Sequence, residues 1–124
     1  MDQFLQKGIA ICVNQIQPLF EEYWSEIVDK PIDSYRILIW GSTVQDKERI
    51  PTDLDIIIEY SVTSKVDSDR TNSIESILED KVNTGELFEY ADIIVQPKEK
   101  TASKIGNSRV SKVYSALEDK YVTF

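Results

Sequence analysis

The chain has 124 residues, 41% hydrophobic and 29% charged, with 22 acidic side chains, 14 basic ones and no histidine. That is the size and balance of one soluble globular domain, residues 1–124, and no apolar run approaches the roughly 20 residues of a membrane span. Without histidine, Ser-His-Asp and His-metal designs are excluded and carboxylates remain as the acid–base and metal groups; the net charge of −8 argues against a general nucleic-acid binder, whose footprint is basic.

Residues 2–29 repeat apolar side chains every three or four positions, through Leu5, Ile9, Cys12 or Val13, Ile16, Phe20, Tyr23 and Ile27, the period of an amphipathic helix. Asp2 stands where a signal peptide would carry basic residues. Pro18 lacks an N–H and crowds the preceding turn, so the stretch reads as two helices, 3–16 and 18–29, or one bent helix. Cys12, the single cysteine, excludes an intrachain disulfide and fits a reducing, cytoplasmic setting; on the apolar stripe it reads as core.

Two short apolar runs follow, Ile37-Leu38-Ile39-Trp40 and Ile56-Ile57-Ile58, bounded by Gly, Pro and Asp. They read as strands over 35–40 and 54–60. A short helix is expected over 42–48, and a loop over 61–69 that is able to close over a site. The spacing of Ile74, Ile77, Leu78 and Val82 predicts a helix over 70–82, with Gly85 as its C-terminal cap. A third strand is predicted over 87–95, and a last helix over 108–121, capped by Ser108 and packed through Val110, Val113, Tyr114, Leu117 and Tyr121. The fold class is therefore α/β, a small mixed sheet with helices packed on one face.

The chemistry gathers at Gly41-Ser42, directly after the first strand, and at Asp53-Leu54-Asp55, which opens the second. Residues i and i+2 of a strand share a face, so Asp53 and Asp55 project together. Adjacent carboxylates repel, and a hard divalent cation relieves them. Gly41 suits a tight turn whose exposed amides, with the Ser42 hydroxyl, can hold phosphate oxygens. Asp92, opening Asp92-Ile93-Ile94-Val95, is a third carboxylate at the start of a strand. Trp40 and Trp24 read as core, and Glu59 lies on the face of Asp55, beyond reach of a shared ion but placed to contact a ribose.

A strand ending in Gly-Ser, ten intervening residues, Asp-x-Asp on the next strand and a later strand-borne Asp together resemble the minimal nucleotidyltransferases of the DNA polymerase β superfamily. The match covers residues 34–96, and the flanking helices by pattern alone. The resemblance implies the nucleotidyltransferase fold with its carboxylates on an open face. It implies two Mg²⁺ ions held by Asp53, Asp55 and Asp92, a nucleoside triphosphate (ATP first) held at Gly41 and Ser42, and Asp92 as the base for the acceptor hydroxyl. In the branch with this spacing, such proteins are antitoxins that add AMP to a tyrosine of a helical HEPN toxin, so the implied partner is a protein of that class; a second copy of the chain is the other partner considered. Transfer to a small molecule or a tRNA end is an alternative, as is a silent binding module. One departure stands out: many members carry Arg three residues after the Ser, where this chain has Gln45, a donor without charge. Lys47, Arg49 or the basic stretch Lys98, Lys100, Lys104, Arg109 and Lys112 are the residues that would compensate, and that stretch is what would favour RNA.

Overall fold

The computed structural model describes residues 2–45, 50–101 and 112–122. Helix α1 (Gln3–Ile11) opens where the Asp2 carboxylate accepts from the amides of Phe4 and Leu5 at 2.6 and 3.4 Å, filling donors that a helix start leaves unpaired. A π-helical turn, Cys12–Ile16, joins it to α2 (Gln17–Tyr23), and a second, Trp24–Val28, ends the run. The helical path is thus continuous from 3 to 28, with the irregularity beside Pro18. The Gln17 N–H bonds to the Cys12 carbonyl, five residues back, so the turn is already widened where the proline ring enters. Asp29, in the left-handed conformation at φ 53°, closes the run through its N–H to the Trp24 carbonyl.

Strands β1 (Ser34–Trp40), β2 (Asp53–Ser61), β3 (Tyr90–Pro97), β4 (Val113–Ser115) and β5 (Lys120–Val122) form one sheet in the order β3-β2-β1-β4-β5. All neighbours are antiparallel except β2 and β3, which run parallel. Helix α3 (Ser42–Gln45) follows β1, and α4 (Ser68–Lys81) makes the crossover between the parallel pair that such pairing requires. The helices cover one face. There Ile37 and Ile39, Leu54, Ile56 and Ile58, and Ala91, Ile93 and Val95 meet Leu5, Ile16, Phe20, Trp24, Ile74 and Leu78 in one cluster, which includes the fully buried Cys12. Each such aliphatic side chain contributes about 1.5–3 kcal/mol by leaving water.

Four expectations need correction. The last helix is absent from its described part: residues 113–122 form the β4–β5 hairpin, while Ser108 and Val110 lie outside the described residues. The apolar spacing suits either element. The deciding factor is β1, a buried central strand whose outer edge must find partners; β4 pairs with it, and the Ala116 N–H extends the pairing to the Ile37 carbonyl. Helix α4 begins at Ser68, where Asp67 caps the Asp69 amide, and ends at Val82 in an extended conformation; Gly85, at φ 71°, turns the following loop instead. Strand β3 starts at Tyr90, because residues 85–87 are turned and Phe88 is drawn into the core against Phe4. Finally, the sheet's other face is not open throughout, for Leu38, Ile57 and Val113 are sealed there in a smaller cluster edged by Trp40 and Ile94. Trp24 lies in the main core as expected, whereas Trp40 packs on this second face.

Two phenols donate to carboxylates, Tyr35 across to the first helical run and Tyr114 within the β4–β5 hairpin. The Tyr35 hydroxyl donates to Glu21 at 2.5 Å, and that of Tyr114 to Asp119 at 2.6 Å. Burial first and Glu21 second push Tyr35 up to about 12; for Tyr114 the bond to Asp119 comes first, again giving about 12. An unfolded phenol ionises near pH 10. Because the folded values are raised, this stabilisation is complete below about pH 10 and lost as pH climbs to about 12. Stability measured by denaturant should therefore fall over that window, and Tyr35→Phe and Tyr114→Phe should each flatten the fall.

Candidate metal centre

Parallel pairing sets Asp53 opposite Tyr90 and Asp55 opposite Asp92. Both strands point their even-spaced apolar residues into the main core, Leu54, Ile56 and Ile58 from one and Ala91, Ile93 and Val95 from the other. The intervening acids are thereby directed to the opposite face. Asp53, Asp55 and Asp92 each offer a carboxylate oxygen, and the three oxygens all lie within 4.8 Å of one another; each residue is half-buried. At such separations each like-charged pair repels by about 1–4 kcal/mol, between the dielectric of water and that of a protein surface. The fold holds together a group of charges that would otherwise move apart.

Gly41 completes the arrangement. It follows Trp40, the register partner of Asp55, and has φ +75°, a conformation that side chains disfavour. A Cβ built on it would run into Oδ2 of Asp55. The glycine thus lets the backbone turn and approach the carboxylate. Ser42 is half-buried and starts α3, and the Val44 N–H returns to the Gly41 carbonyl at 3.1 Å. The next residue, Thr43, is buried with a hydroxyl that has no partner among the described residues.

All five residues singled out in the sequence, Gly41, Ser42, Asp53, Asp55 and Asp92, come to one end of the β1–β2–β3 segment. One neighbour was missed. Tyr90 is 55% exposed at the edge of the triad, and its phenol is held above the usual range chiefly by Asp53, then by burial and by Asp92 and Asp55. Its place two residues before Asp92 was the available signal, since residues two apart on a strand share a face.

Apart from Lys112, which precedes β4 and sets its ammonium over the Tyr121 ring, the other candidates lie elsewhere. Glu59 is 3% exposed, ion-paired with Arg36, and has its second oxygen without a partner among the described residues. It is four residues past Asp55, about 13 Å along the strand. The basic residues Lys98 and Lys100 follow β3 at the end opposite Asp92, so they do not reach the triad; the strand alone runs about 17 Å from Asp92 to Pro97. Lys104, Arg109, Lys47, Arg49 and the Gln45 side chain lie outside the described residues. The loop after β2 also turns away from the acids. It lines a cleft of about 1180 Å³ with Tyr60, Arg70, Pro97 and Lys100, at the far ends of β2 and β3. Size alone would place a ligand there. The chemistry of the donor atoms places the candidate cation site at the triad.

The donor set suits a hard cation. It consists of carboxylate oxygens, the ligands of Mg²⁺, Mn²⁺ and Ca²⁺, whereas softer metals favour the imidazoles and thiolates that are absent here apart from the core-buried Cys12. No protein-family model, curated protein or solved structure matches the chain. Two substitutions separate charge from shape at this centre. Without metal, Asp92→Asn should raise stability by on the order of 1 kcal/mol, because it removes repulsion. Gly41→Ala should lower it by about 1–2 kcal/mol through its left-handed backbone. Mg²⁺ should raise the melting temperature of the wild type, and both substitutions should weaken that rise. A wild type indifferent to Mg²⁺, Mn²⁺ and Ca²⁺ would remove the triad as a cation site.

Proposed function

We propose that the chain is a Mg²⁺-dependent nucleotidyltransferase that moves a nucleoside monophosphate, AMP from ATP in the first instance, onto a hydroxyl of a partner protein. The observation that carries this reading is the convergence of Asp53, Asp55 and Asp92 within 4.8 Å, beside a glycine turn that no side chain could replace without displacing Asp55. The Gly-Ser-x10-Asp-x-Asp spacing is the sequence counterpart of that convergence. The identity of the partner as a helical HEPN-type toxin, and of the chain as its antitoxin, rests on the family resemblance.

In this reading Asp53, Asp55 and Asp92 hold the cations, which when bound supply positive charge to the attacking and leaving oxygens of the phosphoryl group. Gly41 leaves room for the backbone to approach the outer phosphates, and Ser42 offers its hydroxyl to one of them. Asp92 takes the proton of the acceptor hydroxyl as the acceptor oxygen bonds to the α-phosphorus; the bond from that phosphorus to the bridging oxygen breaks, and pyrophosphate leaves. The setting of the triad supports an acceptor carried by another macromolecule. The acids stand at the strand ends of β2 and β3 beside an exposed tyrosine, and the large cleft lies at the opposite strand ends. The surrounding acidic charge, −11 over residues 1–97, disfavours a phosphate-rich acceptor such as RNA.

The test is incubation with Mg²⁺ and ATP labelled at the α-phosphate, with and without a helical HEPN-type toxin. Label should pass to the partner, and Asp53→Ala should reduce it by at least a hundredfold, the scale of removing a group that stabilises transition-state charge. Tight complex formation with no label from wild type would sink the transferase reading in favour of a silent binding module. Label on tRNA would redirect the acceptor class.

A further inference from the structure

An in-line displacement at phosphorus needs the attacking oxygen on the side opposite the leaving group. The strand order β3-β2-β1 supplies two such sides. On β1, Trp40 stands opposite Asp55, so the Gly41-Ser42 turn leaves the sheet beside the acids. β2 carries Asp53 and Asp55 in the middle. On β3, Tyr90 is the register partner of Asp53, as Asp92 is of Asp55. Adjacent strands lie about 4.8 Å apart, so about 10 Å separates the strand with the turn from the strand with Tyr90. Ala91, Ile93 and Val95 point into the main core, which turns Tyr90 and Asp92 together to the face of the acids. Tyr90 thus fills the fourth corner of a block whose other three corners are the carboxylates, and all three act on its hydroxyl. A phenol carries its hydroxyl farther from the strand than an aspartate carries its oxygens, and Tyr90 is 55% exposed.

We propose that Tyr90 is itself an acceptor: with no partner at the site, the chain transfers AMP from ATP to its own Tyr90 hydroxyl. This rests on the transferase reading above and adds a direction to it, with the leaving group on the β1 side and the acceptor on the β3 side. The Gly41-Ser42 turn holds the outer phosphates over β1, and the α-phosphorus comes over Asp53 and Asp55. The phenol oxygen bonds to that phosphorus from the β3 side, and its proton passes to Asp92. The bond from the phosphorus to the bridging oxygen breaks, and pyrophosphate leaves over β1. Tyr121 is nearly as exposed, at 52%, but belongs to β5, at the other end of the strand order. Placement beside the acids, not exposure alone, selects Tyr90.

Two measurements on the full chain test this. In the first, the wild type is incubated alone with Mg²⁺ and ATP, and its peptides are mapped by mass spectrometry. Tyr90 should gain one AMP, and Tyr90→Phe and Asp53→Ala should each lose that gain. No AMP on the wild-type chain, or AMP on another residue, overturns the proposal. Transfer to a partner protein without self-transfer leaves the transferase reading standing, whereas transfer to neither sinks both. The second measurement needs no turnover. Nitration of the metal-free wild type should mark both Tyr90 and Tyr121. Mg²⁺ with α,β-methylene-ATP, whose bridging carbon does not leave, at about ten times its Kd should slow nitration of Tyr90 roughly tenfold, in proportion to the chain left free. Tyr121 should be unaffected. Equal nitration of Tyr90 with and without the analogue overturns the placement of its hydroxyl at the α-phosphate.

Discussion

The site depends on one register. β2 and β3 run parallel with Asp55 opposite Asp92, and a slip of one residue would turn every side chain of β3 to the other face. Ala91, Ile93 and Val95 would leave the core, and Asp92 would enter it. Burying an unpaired carboxylate there would cost several kcal/mol. The apolar half of β3 therefore fixes the position of its acid, although it makes no contact with a ligand. The chemistry of the exposed face is an indirect product of packing on the hidden one.

Seen this way, the divided sheet is economical in its use of residues. One face holds the large cluster with Phe20, Trp24, Ile74 and Leu78 from the helices, which makes up the greater part of the hydrophobic core. The other holds the small Leu38–Ile57–Val113 cluster between two polar ends, the acid triad and the Arg36–Glu59 pair. The polar ends are costly and differ in kind. Glu59 is buried and partly compensated by arginine, whereas the triad is half-buried and made of like charges. A stable fold tolerates clustered like charges when their strand ends are fixed by pairing, and such clusters are characteristic of sites that hold a cation.

Helix α4 has a double part in this arrangement. Ile74 and Leu78 enter the core, while Glu75 and Glu79, one position further round the helix, reach the edge of β3. The same helix thus carries the crossover that makes β2 and β3 parallel and covers the amides which that topology leaves facing outward. Gln15 provides a related anchor at the far end of α4. Its side-chain amide donates to the carbonyl of Asn83 and accepts from the Asn83 N–H, at 2.9 and 2.8 Å, so the chain leaving the helix is held to the first helical run.

By itself the sequence determined the local elements with strong apolar period and singled out the five residues that the fold gathers at the candidate site. Strands β1 and β2, the helix ending near Lys81 and the long N-terminal helical run are written in side-chain spacing, and Gly41, Ser42, Asp53 and Asp55 mark themselves by their place at strand ends. Asp92 was legible as a strand-opening acid, but its distance from Asp55 was not. That distance depends on which strands pair, in which direction and in which register, and these are set by contacts between residues far apart in the chain. For the same reason only the tertiary structure decided that residues 113–122 form a hairpin. Their apolar spacing fits a helix equally well, and the free edge of β1, which no local pattern reveals, drew them into the sheet.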